Sequence, residues 1–398
     1  MAVRNPDAKL SVLLVESGRS VGGTERVVWE LATRLPAARF AVRVWLSRAP
    51  GVDELARALA AAGVPVERLD EVDSRWDAAG MARTWWRLRR ARPDLLHVHH
   101  VWPAADRYLV ALAQLAGTPC VVITEHIVGR SHSRGQRALK RRELARADAV
   151  TAVCGAVADT LVRDYGVPRD RVRVVANGAE PPDEAREAPA ARAWRERFAA
   201  SPARPLWVVA GRLEEQKGLD VLLAALAEVT RRNLAFTLAI AGEGSCRGAL
   251  ERRAEELGLG GRVHFLGTLD DAGSLLAAAD VVLLPSRWEG LPLVLLEALV
   301  RARPVVASAV GGVPEVLADG VHGALVPPGE PVALADALER LHRQPDLALR
   351  LGRAGAAHVR ERFSWRAAVQ GFEAVYDEAL GLASVTPEPA RAARGSGR

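Results

Sequence analysis

The chain has 398 residues, 49% hydrophobic and 26% charged, with a formal net charge of +6 at pH 7. That length predicts two domains, because single cores rarely grow past about 250 to 300 residues, and that composition excludes a disordered chain. The positive balance is carried by arginine amid abundant alanine, a pattern that a GC-rich genome also produces, so no nucleic-acid partner is expected.

Short apolar runs alternate with helical patterns from end to end. Candidate strands are residues 10–15, 40–46, 64–69, 94–99, 120–124, 149–153 and 172–176. Helix-length amphipathic segments such as "TERVVWELATRL" and "DELARALAAAG" separate them. The rhythm breaks at residues 177–194, a proline-rich polar stretch that reads as an interdomain linker. A second series follows at 205–210, 235–242, 262–267, 280–285, 303–308 and 323–327, with helices continuing to about residue 380. Strand–helix alternation of this kind predicts an α/β fold of two doubly wound, Rossmann-like parallel sheets. Ligands in such sheets bind beyond the carboxyl ends of the strands.

Cys120, Cys154 and Cys246 lie far apart and fit neither a disulfide framework nor a zinc spacing. The longest apolar stretches stop short of the ~20 residues of a membrane helix. No apolar leader precedes the first strand, so a cytoplasmic protein is expected.

Six strand ends carry chemistry. "ESGRSVGGTE", residues 16–25, opens a helix with Thr24 as the candidate cap, and Gly22 and Gly23 let backbone amides approach a phosphate. It lacks the Gly-x-Gly-x-x-Gly spacing, and no acid closes the second strand, which disfavours a dinucleotide oxidoreductase. "DLLHVHH" places His97 and His99 on one strand face. Without an obvious third ligand, packing or an acceptor contact is the better reading than zinc. His126 follows the fifth strand at the cleft edge. In the second half, "AGRLEEQKG" brackets a loop with Arg212 and Lys217, a candidate anion site. "AGEGSC" supplies Gly242 and Gly244 at an equivalent strand end.

"SRWEGLPLVLLEAL", residues 286–299, places Glu289 in the loop before a helix opened by Pro292, and Glu297 two turns into that helix. The helix is too apolar to be exposed. Either Glu297 pairs with Arg301 four residues on, or both carboxylates accept hydrogen bonds from the hydroxyls of a ligand. The helix amides would then face an anionic group. Hydroxyls beside a diphosphate describe a nucleotide sugar.

Taken in order, "GGTERVVWELA", "DLLHVHH", "TEH", "ANGAE", "GRLEEQKG", "IAGEG", "SRWEGLPLVLLEAL" and "RPVVASAVGGVPEV" resemble the family-four retaining glycosyltransferases of GT-B fold, glycosyl transferases group 1. The resemblance implies an acceptor domain over 1–178 and a donor domain over 179–365. It also implies a helix over 366–380 crossing back to the first domain; the tail at 381–398 reads as disordered from its composition. It implies that Gly22 and Gly23 contact donor phosphate or acceptor and that His126 approaches the sugar. Arg212 and Lys217 would neutralise the diphosphate in place of a metal, so no cofactor is expected. Glu289 would bind sugar hydroxyls, the Gly290–Leu291–Pro292 backbone would lie at the sugar and phosphate, and Glu297 would bind the ribose.

The expected activity is therefore metal-independent, retaining transfer from a nucleotide sugar, with a UDP-sugar the leading donor. The acceptor is a glycan, a lipid-linked molecule or a small natural product. A nucleotide-sugar epimerase or a non-catalytic binding module of the same fold are the alternatives. Two basic segments, residues 75–93 with its tryptophans and residues 130–148, are the candidate contacts to an anionic membrane at its inner face.

Overall fold

The computed structural model describes residues 9–18, 22–70, 72, 74, 76–100, 106, 108–127 and 133–382. The first sheet holds β1 (Leu10–Glu16), β2 (Phe40–Ser47), β3 (Val66–Leu69), β4 (Leu95–His100), β5 (Cys120–Glu125), β6 (Ala149–Ala152) and β7 (Val172–Val174). They run parallel in the order β3-β2-β1-β4-β5-β6-β7. Its helices are α1 (Gly23–Arg34), α2 (Asp53–Ala61), α3 (Ala78–Ala91), α4 (Leu109–Ala116), α5 (Arg134–Arg146) and α6 (Gly155–Tyr165). Next come α7 (Glu184–Arg197), β8 (Leu206–Ala210), α8 (Leu219–Arg231), β9 (Thr237–Ala241), α9 (Arg247–Glu256), β10 (Val263–Gly267) and α10 (Ala272–Ala278). After these, β11 (Val281–Leu284), α11 (Leu293–Val300), β12 (Val305–Ser308), α12 (Val313–Val316), β13 (Ala324–Val326), α13 (Pro331–Arg343), α14 (Pro345–Arg362) and α15 (Trp365–Leu380) complete the chain. The second parallel sheet has the order β10-β9-β8-β11-β12-β13.

Every expected strand forms, with ends within two residues of the expected ones. The physical reason is that the central runs are apolar on both faces, whereas β3, β7 and β10 are only partly buried. In β1, Leu10, Val12 and Leu14 pack with Val28 and Leu31 of α1, whereas Leu13 and Val15 pack with Leu109 and Leu112 of α4. A strand covered on both sides must be apolar at every position, as parallel sheets require.

The expected linker is largely a helix, which corrects the reading of residues 177–194. Asp183 caps α7 by accepting the Arg186 N–H at 3.2 Å, and Glu184 and Glu187 lie in its positive first turn. Alanine and arginine sustain the helix past Pro189. Its Glu187 is buried and takes a bidentate pair from Arg301 at 2.6 and 2.8 Å, fastening α7 to the end of α11. The cap of α1 is also displaced from the expected Thr24: Gly22 is the cap, and the Glu25 carboxylate turns back to its N–H at 2.9 Å.

The last helix returns to the first sheet. The Ala179 N–H bonds the Phe363 carbonyl at 2.8 Å where the chain crosses, and Ser364 caps α15. Phe372, Val375 and Tyr376 then bury among Leu10, Leu14 and Phe40. From residue 383 onward, the expected tail lies outside the described residues.

Candidate functional site

Each sheet order reverses once, between β1 and β4 in the first sheet and between β8 and β11 in the second. The loops leaving β8 and β11 diverge there and form the crevice that such sheets offer a ligand. Gly218 binds the two loops together. It adopts φ +61, and a β-carbon on it would overlap the Pro285 carbonyl. The Arg287 N–H bonds the Gln216 carbonyl at 2.7 Å, and the Arg287 guanidinium grips Asp220 with two bonds of 2.6 Å.

Lys217 and Glu289 meet on this platform. The Lys217 ammonium lies 2.6 Å from Glu289 Oε1, which also accepts from the Ser286 hydroxyl at 2.7 Å. Glu289 is 6% exposed, and its other oxygen takes the Gln216 amide at 3.2 Å. Gln216 in turn accepts from Arg212 at 3.3 Å and donates to the Trp288 carbonyl at 3.0 Å. Arg212, Lys217 and Glu289 thus form one network, which sequence reading treated as separate phosphate and sugar contacts. Gln216 and Ser286, its connecting members, were not singled out in the sequence; only their place inside the two motif loops could have marked them.

Glu297 does not pair with Arg301, which corrects that alternative. Arg301 gives its guanidinium to Glu187 and reaches only the Glu297 backbone carbonyl, at 2.9 Å. Burial raises the Glu297 pKa from its ordinary value, against the pull of the nearby Arg301 charge. Among the described residues no hydrogen bond or ion pair engages its half-buried carboxylate.

The first domain closes on the loop that carries Glu289. Gly290 lies so near the His126 carbonyl oxygen that a β-carbon would overlap it. The Asn177 amide donates to the Leu291 carbonyl at 2.9 Å, and Gly23 lies near Leu293. Asn177 is a further positioning contact left without a role in the sequence reading, although it stands in the quoted "ANGAE". Gly242 and Gly244 act by their lack of side chain: β-carbons there would overlap the carbonyls of Gly211 and Leu213, which flank Arg212.

At the foot of the glycine loop, Glu16 accepts the Gly18 N–H at 2.5 Å and Glu25 the Gly22 N–H, bracketing the loop. Burial raises both carboxyl pKa values; the Glu25 charge adds to the rise at Glu16, and the Arg212 charge across the cleft opposes that at Glu25. Pro292 caps α11 instead of opening it, so the helix starts at Leu293, one position later than expected.

His126 is buried, and its Nε2 is 3.0 Å from His99 Nδ1. Burial lowers its pKa to about 4, against the nearby Glu125 charge, and drives His97 and His99 well below the ordinary value. His97 bonds the Tyr376 hydroxyl at 2.7 Å and Thr124 at 2.6 Å. His100 faces the other side of the sheet, 2.8 Å from Glu125 and 3.4 Å from Glu143, with Lys140 2.6 Å from Glu125. Burial and the Lys140 ammonium, 2.6 Å from His100 Nδ1, oppose its protonation, yet the two carboxylates outweigh both and raise its pKa to about 9.

These opposed shifts predict a stability maximum near pH 6.5. His126 binds a proton only in the unfolded chain over the interval from about 4 to 6.5, and His97 and His99, also depressed by burial, likewise charge first in the unfolded chain, so stabilisation from all three is lost as pH falls below about 6.5. His100 holds a proton in the fold, so its contribution is complete below 6.5 and is lost as pH rises through about 9. The thermal unfolding midpoint, followed by circular dichroism, should fall on both sides. His100→Gln should flatten the alkaline limb alone.

Family models match both halves of the chain: Glycosyltransferase Family 4 over residues 21–181 and Glycosyl transferases group 1 over residues 204–344. An alpha-D-kanosaminyltransferase of Streptomyces kanamyceticus is 31% identical, over 74% of this chain and 80% of that protein. The chain belongs to glycosyltransferase family four. It is a glycosyltransferase of GT-B fold. A D-inositol 3-phosphate glycosyltransferase of Streptomyces bingchenggensis is 32% identical, over 90% of this chain and 85% of that protein. The fold is shared with Anabaena Alr3699/HepE in complex with UDP and glucose, at a TM-score of 0.80 and 21% identity, covering 92% of this chain and 99% of that one.

Proposed function

We propose that this glycosyltransferase moves a sugar from a UDP-sugar to an acceptor hydroxyl with retention of configuration and without a divalent ion. The observation that carries the reading is the Arg212–Gln216–Glu289–Lys217 network at the switch crevice, pressed through Gly290 against His126. Cleavage of the donor leaves a nucleoside diphosphate, and preorganised donors aimed at its growing charge are the main source of rate. Arg212, Lys217 and the N-terminal amides of α11, beside Leu291 and Pro292, supply them, with Gly22 and Gly23 closing from the first domain. Glu289 accepts from the sugar hydroxyls and Glu297 from the ribose. In this reading Glu289 and Glu297 are ligand clamps, not an acid/base pair. The UDP bound by the HepE homologue supports the donor assignment.

A donor screen with UDP-, GDP- and ADP-sugars in EDTA tests this. Transfer or slow hydrolysis of a UDP-sugar, with the anomer unchanged by NMR, is the expected result. Activity lost to EDTA and restored by magnesium overturns the metal-free mechanism.

The acceptor side reads as a glycan or lipid-linked substrate met at the inner membrane face by a cytoplasmic enzyme. No described helix is long and apolar enough to cross a membrane. The contact surface is instead the layer α3–α4–α5, held by Arg89 on the Ala116 carbonyl at 3.3 Å and Gln114 on the Arg146 carbonyl at 3.0 Å. It exposes Trp85, Trp86 and Leu115, with exposed Arg83, Arg89 and Arg90 on α3 and exposed Arg137 and Arg141 on α5. Co-sedimentation should require anionic vesicles, weaken with salt, and fall several-fold in Trp85→Ala/Trp86→Ala; equal recovery with neutral vesicles removes the membrane from the reading.

A further inference from the structure

We infer that His99 is a positioning residue that fixes His126 in its Nδ1–H tautomer, so that His126 meets the substrate as a hydrogen-bond donor. The inference rests on the reading of His126 as the sugar-facing imidazole.

The contact between His99 Nδ1 and His126 Nε2, 3.0 Å, joins two stacked rings with centroids 5.3 Å apart. Both imidazoles are neutral near pH 7, because burial penalises their charged forms. Each therefore carries one N–H, and one ring must donate to the other. His99 is fully buried, and its Nε2 has no hydrogen-bond partner. The His97 ring lies 4.0 Å away and the Phe372 ring 6.5 Å.

Two assignments are possible. If His126 donated from Nε2, the single proton of His99 would sit on Nε2, a buried N–H with nothing to receive it. If His99 donates from Nδ1, its Nε2 keeps only an unpaired lone pair. Stranded buried N–H groups are the rarer and costlier defect, so His99 donates. The proton of His126 then resides on Nδ1, the tautomer that free histidine disfavours in water. Among the described residues no hydrogen bond engages that nitrogen. It is left to a substrate oxygen.

The rest of the stack holds His99 in place. Its position on β4 pairs with Glu16 of β1 and Thr124 of β5. His97, against which it lies, is fixed from both nitrogens by Tyr376 and Thr124. Tyr376 belongs to α15, so the returning helix helps to orient the imidazole at the cleft. Its role is to keep one N–H aimed at a hydroxyl or glycosidic oxygen without reorganisation, the kind of preorganisation that lowers a barrier.

The test combines 15N-histidine NMR with kinetics on the full chain. Long-range proton–nitrogen spectra, with the His126 signal assigned by its loss in His126→Ala, should show protonated Nδ1 in the wild type. They should show the same in His99→Asn, whose side-chain amide can donate from nearly the same place. His99→Phe should release the bias toward Nε2–H. It should lower kcat about tenfold, with little change in donor KM, whereas His99→Asn stays within about threefold. A wild-type His126 protonated at Nε2 overturns the inference, as do His99→Asn and His99→Phe that match in spectrum and rate. Should His99→Phe fail to fold, the wild-type and His99→Asn spectra still decide it. Unchanged turnover in His126→Ala would instead refute the sugar-facing reading, leaving the tautomer to the spectra.

Discussion

Lys217→Ala is expected to lower kcat by about two to three orders of magnitude, the loss typical of removing one preorganised donor from a developing anion. Its second effect is on stability. The Lys217 ammonium stands 2.6 Å from Glu289, and the substitution leaves that nearly buried carboxylate with Ser286 and Gln216 alone. Stranding one partner of a fully buried pair costs about 3–5 kcal/mol; Lys217 is partly exposed, so the cost here lies below that range. The double variant Lys217→Ala/Glu289→Gln removes the stranded charge. Its unfolding midpoint should recover while turnover stays low. Recovery of both would mean that the pair is a structural tie and that the diphosphate is met elsewhere. Glu297→Gln should differ from both, weakening donor binding several-fold with little change in kcat, because among the described residues its carboxylate makes no hydrogen bond or ion pair.

Much of this architecture was legible because parallel strands buried on both faces leave continuous apolar runs, and because the crevice rule assigns ligand loops to strand ends. His97 and His99 share a face, as period two requires, and the distinct environment of His100 follows from the same alternation. What stayed hidden is long-range pairing. Glu187 finds Arg301 across 114 positions, and this pair fastens a proline-bearing polar helix to α11. Asn177 reaches the Leu291 carbonyl across the same distance in sequence. Glu315 accepts the N–H groups of Gly155 and Ala156 at 2.9 Å each, so an acid of the second domain caps α6 of the first where Cys154 cannot. Local pattern carries no trace of such partners, because each residue is ordinary in its own neighbourhood.

The same interdomain geometry makes Gly290→Ala a damaging substitution. A methyl group there would overlap the His126 carbonyl oxygen, and the loop cannot retreat freely. Behind it, the Gly312 N–H holds the Gly290 carbonyl at 2.7 Å, and Gly312 is itself packed against Cys154. The domains must therefore part, or the loop must shift and carry Glu289 with it. Overpacking of this kind costs about 1–3 kcal/mol, modest against a whole domain. Its leverage on rate is larger, since a displacement near 1 Å at reacting groups can cost about a hundredfold. Transfer should fall by roughly that factor or more, with secondary structure unchanged by circular dichroism. Gly260→Ala is the matched control: nothing lies within 4 Å of the added carbon, and activity should hold. Normal transfer by Gly290→Ala would mean that the close approach of His126 to this loop is dispensable for turnover. The cleft chemistry would then have to be rebuilt around a more open pair of domains.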